Sequence, residues 1–293
     1  MPGWLTLSRP VPRGLLLGIG LVLLFALALY RDIAFSLVRS RLAVPPGYDD
    51  VVYLLDAMQR WRFELPHGLG ALVSGLISHP PHAPVSTLTG IAGFALFGPE
   101  ILSAYLANGW ILAIYVAAMA VVSRPLGGVV PRLLFVAALL FARVSQAMIT
   151  EFRPDMAAGL VFALALVAIT ATDLLSASPL RRAGVAALAV LATVIKPTGA
   201  VLVMPGIGVA ILATLVLQVR AGRGSWPTLL RALLLPSAVY LLLLTPFAIA
   251  WGRETYEYIL QTLVTNADIW RTDGGVLIHW TYHLFGYGAT KAL

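Results

Sequence analysis

Hydrophobic runs separated by shorter polar segments make up most of this chain. Seven of these runs approach or reach the length that an α-helix needs to cross a bilayer, about 17 to 25 residues. They cover residues 14–30, 101–122, 133–149, 156–175, 183–195, 199–219 and 233–250. The pattern predicts an all-α polytopic membrane protein with about seven transmembrane helices.

The longest segment between two runs, residues 31–100, contains two further helical patterns. Residues 49–63 are amphipathic, with Asp56 and Arg60 one helical turn apart on the polar side. This pattern is typical of a helix that lies at the membrane interface. Residues 84–97 are apolar but few, so two interpretations compete: a short transmembrane helix or a second interfacial helix.

Arginine positions decide between these interpretations, because basic residues collect in the cytoplasmic loops of membrane proteins. If residues 84–97 stay outside, the N-terminus is cytoplasmic and nine arginines lie on the cytoplasmic side with one acid, Asp173. These are Arg9, Arg13, Arg124, Arg132, Arg181, Arg182, Arg220, Arg223 and Arg231. Counting residues 84–97 as a span would place several of them outside. We therefore expect seven spans, with interfacial helices in a first external loop at residues 31–100.

Residues 1–250 form the expected transmembrane module, and residues 251–293 the expected external tail, which is polar and aromatic. Because the tail ends without an eighth span, we expect the chain to be cut short there. Composition agrees with a membrane setting, since only 11% of residues are charged, against about a quarter in soluble domains. The net charge of +7 comes from loop arginines and does not indicate nucleic acid, and the absence of cysteine excludes disulfides and thiol catalysis.

Three polar segments converge on the outer face in this topology. They are Tyr48-Asp49-Asp50, His79-Pro80-Pro81-His82 and Glu151-Phe152-Arg153-Pro154-Asp155. Ionisable groups gathered at one membrane face indicate a polar cavity. Asp49 and Asp50 also stand at the start of a helix, where an acid caps the first turn and favours the helix dipole. From the residues alone, a cap and a reaction centre remain equally open.

These segments, together with Lys196-Pro197-Thr198-Gly199, resemble the motifs of the GT-C class of integral membrane glycosyltransferases. That class includes the protein O-mannosyltransferases and the bacterial lipid A aminoarabinose transferases. The resemblance covers nearly all of the chain, as the N-terminal seven-span module of the class. It implies inverting transfer of a hexosyl or pentosyl group from a polyprenyl-phosphate carrier to a lipid, glycan or protein acceptor, on the outer side of the cell (inner) membrane.

The resemblance also implies roles for particular residues. Asp49 would take the proton from the acceptor hydroxyl, with Asp50 second and Asp155 as another carboxylate of the cavity. The residues implied in substrate binding are Tyr48, His79, His82, Arg143, Arg153 and Lys196, of which the two arginines and the lysine suit the carrier phosphate. A divalent metal held by His79 and His82 with His279 and His283 stays open, so the cofactor is unknown.

Two other classes of function compete with an enzyme. A transporter or flippase for a lipid-linked substrate would place polar residues and broken helices at mid-membrane, whereas here the middles of the spans are apolar. A non-catalytic subunit of envelope assembly would bind a carrier without turning it over. The expected partners are the lipid-linked sugar and membrane lipids, and the oligomeric state is open.

Overall fold

A computed structural model describes residues 12–39, 41–45, 49–142 and 150–265, and these residues form helices and turns with no strand among them. The α-helices are α1 (Arg13–Arg39), α2 (Asp49–Phe63), α3 (Leu69–Ser78), α4 (Pro84–Phe97), α5 (Ile101–Ala107), α6 (Gly109–Val122), α7 (Val129–Leu140), α8 (Pro154–Ala171), α9 (Pro179–Ile195), α10 (Ala200–Arg220) and α11 (Trp226–Leu260). The chain divides into a first unit, Met1–Pro45 with Gly109–Thr150, and a second unit, Pro46–Asn108 with Glu151–Leu293.

Within the described residues, four segments are long and apolar enough to cross a membrane, by length and composition. They are Arg13–Arg39, Ile101–Val122, Pro197–Arg220 and Trp226–Leu260. The other three predicted spans coincide with the shorter helices α7, α8 and α9. Helix α7 begins four residues before the predicted run at residue 133 and ends at Leu140, and residues 143–149 lie outside the described part of the chain.

The first unit is a packed group of α1, α6 and α7. Its hydrophobic core contains the buried side chains of Ala28, Leu112, Val116, Val136 and Leu140. Helices α1 and α7 approach closely at Gly20, where an added Cβ would lie 2.6 Å from the Leu133 side chain. The apolar core of this unit is therefore formed where the three helices face one another, as expected for helices that expose their outer faces to lipid.

The second unit contains an antiparallel run of helices from α8 to α11. The start of α8 and the end of α9 meet at an ion pair between Asp155 and Lys196. At the opposite end, Gln218 of α10 donates to the Thr172 carbonyl at 2.9 Å and accepts from the Leu175 amide at 3.3 Å. The arginines that follow α8 and α10 belong to this opposite end, where Arg223 lies 3.9 Å from Asp173.

Helix α4 is the buried centre of the other half of the second unit and packs against α2 and α5. Two glycines make these approaches close. An added Cβ at Gly90 would lie 2.6 Å from the Cβ of Ala57, and one at Gly93 would lie 2.5 Å from the carbonyl oxygen of Ser103. Helix α4 is followed by Gly98, whose φ of 96° is favourable only for glycine.

The polar side of helix α2 is less exposed than the sequence predicted. Its bounds and the Asp56–Arg60 pair are confirmed, with 2.9 Å between Arg60 Nε and Asp56 Oδ1. However, Asp50 and Arg60 are buried in the second unit, whereas Val52 and Leu55 are more than half exposed. A membrane protein gains little by burying aliphatic side chains away from lipid, while its polar groups need partners inside.

Helix α11 is longer than the apolar run that predicted it. It begins at Trp226 and continues to Leu260, past the expected limit at Ala250, and a π-helical turn follows at Gln261–Thr265. The first part of the expected tail, from residue 251, is therefore helical. The charged residues after Ala250 end the apolar run but do not interrupt the backbone hydrogen bonds. Residues 266–293, including His279 and His283, lie outside the described part.

Gly93→Ala should destabilise the second unit by about 1–3 kcal/mol, because the new methyl group meets backbone atoms of α5 that cannot rotate away. Thermal unfolding of the purified chain in detergent measures the change. Gly184→Ala in α9 is the matched control, since nothing lies within 4 Å of its added Cβ. Equal melting temperatures for the Gly93 variant and the unchanged chain would contradict the close packing.

Candidate functional site

Among the described carboxylates of the second unit, Asp50 is the most buried, with 1% of its surface exposed. Its Oδ2 accepts from the Tyr105 hydroxyl at 2.9 Å and from the Phe152 amide at 3.0 Å. Its Oδ1 accepts from Arg153 Nε at 3.2 Å. Asp50 therefore joins the start of α2, helix α5 and the segment that leads into α8.

Phe152 completes this connection through apolar packing. Its ring is fully buried and meets the ring of Tyr105 edge-on, with 5.8 Å between centroids. On another side it lies against Gly90 of α4, where an added Cβ would be 3.1 Å from the ring. Asn108 donates to the Glu151 carbonyl at 3.3 Å. The three residues before Pro154 are thus held by both hydrogen bonds and packing.

Helix α8 begins directly after this segment and places Asp155 in its first turn. Arg153 is extended, as expected before proline, and Pro154 fits the first helical position because its missing amide needs no partner there. The Asp155 side chain is about half exposed and pairs with Lys196, which follows α9. The anchored segment therefore leads to an accessible pair of opposite charges.

A cavity of about 500 Å³ opens beside this pair. One part of its wall carries Asp155, Lys196 and Thr198, and another carries the rings of Tyr53, His82 and Tyr258. The remaining wall is largely apolar and includes Ala158, Gly159, Phe162, Leu202 and Val203. The cavity thus combines one cation, one carboxylate and aromatic faces with an apolar surface, as small-molecule sites do.

His82 holds a central place among the aromatic side chains. Its ring is stacked with Tyr53 at 6.1 Å between centroids and meets Tyr258 of α11 at 4.2 Å and a tilt of 58°. The chain before His82 is fixed by Arg60, whose guanidinium donates to the His79 carbonyl. Arg60 also pairs with Asp56, which in turn accepts from Thr87 of α4 at 2.6 Å. A buried network thereby positions the segment that carries His82.

The sequence-predicted residues separate into three groups in the structure. Asp155, Lys196 and His82 line the cavity. Asp50 and Arg153 form the buried connection beneath it, and His79 is exposed at the end of α3, with its ring 3.1 Å from the Ser78 hydroxyl. The roles of Asp49, Tyr48 and Arg143 remain predictions, because Tyr48, Arg143 and the side chain of Asp49 lie outside the described part of the chain.

Three cavity residues with polar side chains were not selected from the sequence: Tyr53, Thr198 and Tyr258. Tyr53 follows Asp49 by one helical turn, and Thr198 belongs to the Lys196-Pro197-Thr198-Gly199 segment, so both had a local signal. Tyr258 was assigned to the external aromatic tail, because the last helix was expected to end at Ala250, ten residues before its actual end. Its place opposite His82 depends on the full length of α11.

Metal ligands do not gather in the described residues. Among residues 12–39, 41–45, 49–142 and 150–265, no group of three or more His, Asp or Glu side chains is arranged to hold an ion. The predicted cluster of His79 and His82 with His279 and His283 falls partly outside these ranges. A divalent metal therefore stays an open prediction.

The fold defines the class of protein as an all-α membrane protein, whose described part contains four segments long and apolar enough to span a bilayer. Comparison with protein-family models, with curated proteins and with solved structures found no match to this chain. The chemistry of the cavity is therefore argued from its own residues.

Asp50→Asn should lower the stability of the second unit by about 2 kcal/mol or more, because it removes the charge that three donors share in a buried place. The melting temperature in detergent measures the loss. Asp155→Asn is the control and should change stability little, since that side chain is about half exposed. A stable Asp50 variant would contradict the anchoring role.

Proposed function

We propose that this chain transfers a sugar from a polyprenyl-phosphate carrier to an acceptor hydroxyl in the cavity beside Asp155 and Lys196. The observation that supports it is the exposed Asp155–Lys196 pair in a cavity of about 500 Å³ whose other walls are aromatic and apolar. A lipid-linked sugar needs a cation for its phosphate, polar and aromatic surface for its sugar, and an apolar surface for its chain. The cavity offers all three.

Lys196 is the residue proposed to bind the carrier phosphate. It is the one lysine or arginine on the described wall of the cavity. In the free protein Asp155 neutralises its charge, and an arriving phosphate competes with that carboxylate for the ammonium group. Carrier binding would then release the Asp155 carboxylate, so that it faces the sugar and the acceptor.

The proposed reaction is a direct displacement with inversion. The acceptor oxygen attacks the anomeric carbon, the bond between that carbon and the phosphate oxygen breaks, and polyprenyl phosphate leaves with the bonding electrons. The acceptor proton passes to a carboxylate acting as general base. Asp155 is the carboxylate proposed for this step within the described cavity. Asp49, the base expected from the resemblance, remains a second candidate.

Asp50 takes a different part in this proposal. Its two oxygens already accept hydrogen bonds from Tyr105, Phe152 and Arg153 in a buried place. Taking up a proton would weaken those bonds. If Asp50 only holds the segment before α8, no proton needs to pass from the cavity to its carboxylate. We assign Asp50 to positioning Asp155 and leave proton transfer to the exposed carboxylate.

The proposed membrane arrangement has seven spans, a cytoplasmic N-terminus and the cavity on the outer face of the cell membrane. Two features of the second unit support it. The helices α8 to α11 alternate in direction, and the cavity lies at the end opposite to Arg181, Arg182 and Arg223. Because arginines favour the cytoplasmic side, the cavity would face outward.

Single cysteines test this orientation, and the chain contains none that would interfere. Ser78→Cys and Ser176→Cys replace exposed serines near the two ends of the second unit. With a membrane-impermeant maleimide, we expect Ser78→Cys to react in intact cells and Ser176→Cys only after permeabilisation. The reverse order would contradict the proposed orientation.

Asp155→Asn should lower sugar transfer by about 10²- to 10⁴-fold, the usual contribution of a general base. Lys196→Ala should weaken binding of a prenyl phosphate by about tenfold or more, because a charge-assisted bond is lost. Transfer is measured with a panel of polyprenyl-phosphate hexoses and pentoses, using reconstituted protein. Asp173→Asn and Arg223→Ala are the matched controls, since that pair is exposed at the other end of the unit.

The two variants also separate the competing functions. If the Asp155 variant transfers sugar at the full rate, another carboxylate is the general base, and Asp49 is the next residue to substitute. A second result is that the unchanged chain binds prenyl phosphate through Lys196 and yet transfers no sugar. That result would favour a carrier-binding subunit or a flippase. If the unchanged chain neither binds prenyl phosphate nor transfers sugar, the proposed function is wrong.

A further inference from the structure

A second cavity, of about 180 Å³, adjoins the first. The two share three wall residues, His82, Thr198 and Tyr258. The second is otherwise lined by Pro80, Pro81 and Pro197 and by the α11 residues Trp251, Glu254 and Thr255. We call it the side compartment. Its volume is below the 300–1,000 Å³ usual for whole drug-sized ligands, so it suits one small group of a larger molecule.

The side compartment differs from the main cavity in charge. It contains the carboxylate of Glu254 and no lysine or arginine on its described wall. The nearest arginine in sequence, Arg253, donates to Glu257 at 2.8 Å and interacts with Glu254 only through its charge, without a hydrogen bond among the described residues. A phosphate or another anion would be repelled here, whereas hydroxyl or ammonium groups would find an acceptor.

The remaining walls of the side compartment are rigid and largely apolar. The indole of Trp251 is fixed, because its Nε1 donates to the Leu76 carbonyl at 3.0 Å and its ring packs edge-on against Phe247 at 5.0 Å. The proline rings cannot rotate, and His82 is held between Tyr53 and Tyr258. Flat apolar faces beside one carboxylate suit a sugar ring, which has both C–H faces and hydroxyl edges.

From these features we infer that the side compartment binds the acceptor, and that the acceptor presents a neutral hydroxyl-bearing ring rather than a phosphate. Glu254 binds the acceptor hydroxyls, while Lys196 of the main cavity binds the carrier phosphate. His82, Thr198 and Tyr258 stand between the two ligands, where the acceptor oxygen meets the anomeric carbon. This inference rests on the proposed function, because only sugar transfer makes the bound ring an acceptor. Binding of the ring can be measured without any transfer.

Binding is tested on the full chain in nanodiscs by saturation-transfer NMR, which detects weak ligands. The probes are the methyl glycosides of glucose, mannose and galactose, with glucose 6-phosphate as the charged comparison. We expect saturation transfer to at least one methyl glycoside and none to the phosphate. Glu254→Gln should weaken that binding by about tenfold, the loss of one charge-assisted hydrogen bond.

Glu100→Gln is the matched control, because it makes the same change at an exposed carboxylate outside the side compartment and should bind as the unchanged chain does. Glu257 is left unchanged, since its loss would release Arg253 beside Glu254. Equal melting temperatures for the two variants would show that the fold is intact, as expected for exposed side chains. Four results would each overturn the inference: no methyl glycoside binds, binding survives Glu254→Gln, both variants lose binding equally, or glucose 6-phosphate binds as well as the methyl glycosides.

A parallel measurement separates this inference from the proposed function. Farnesyl phosphate, a short prenyl phosphate, should bind the unchanged chain and the Glu254 variant equally and should lose affinity in Lys196→Ala. If farnesyl phosphate does not bind but a methyl glycoside binds through Glu254, the proposed carrier is wrong and the binding of a hydroxyl-bearing ring in the side compartment is supported. If only the farnesyl phosphate result is obtained, the side compartment is not an acceptor site and the proposed function stands.

Discussion

The cavity depends on one buried carboxylate. Asp50 is the first charged residue of α2 that the structure describes in full, and its oxygens receive a hydroxyl, a backbone amide and a guanidinium from two distant parts of the chain. A buried charge is unfavourable unless it is well paired, and here each donor comes from an element that must be correctly placed. Forming the ion pair therefore requires the segment before α8 to adopt its native position, which in turn places Asp155.

Two polar networks, centred on the buried Asp50 and Arg60, hold the two sides of the cavity. The Asp50 network fixes the carboxylate side through Arg153 and the start of α8. The Arg60 network fixes the aromatic side, since Arg60 binds Asp56, Glu64 and the carbonyl that precedes the Pro80-Pro81-His82 segment. Both begin on α2, so this short helix is the common base of the cavity. Its exposed residues, by contrast, include the aliphatic Val52 and Leu55.

Local signals predicted the helices, and distant contacts determined the site. Helices α2 and α4 have the predicted bounds, because prolines and Gly98 mark their ends in the sequence. The use of Asp50 was not predictable, since its partners Tyr105 and Phe152 lie 55 and 102 residues away. From hydropathy, the polar side of α2 was predicted to face water and α11 was predicted to end at Ala250. Both predictions were wrong, because hydropathy measures affinity for lipid and not hydrogen bonding. The convergence of Asp155 and His82 was predicted from topology, whereas Tyr258 was not selected.

The carboxylates of the two ion pairs near the cavity differ in their exposure, and this has a consequence for ionic strength. The Asp50 side chain is 2% exposed in its pair with Arg153, and the Asp155 side chain is 52% exposed in its pair with Lys196, while both cations are 30% exposed. Dissolved salt screens charges that water reaches and has little effect on buried ones. Salt therefore loosens the pair that would meet a ligand and leaves the carboxylate beneath it in place. The protein can lose affinity for an anion at high ionic strength without losing the architecture that supports the cavity.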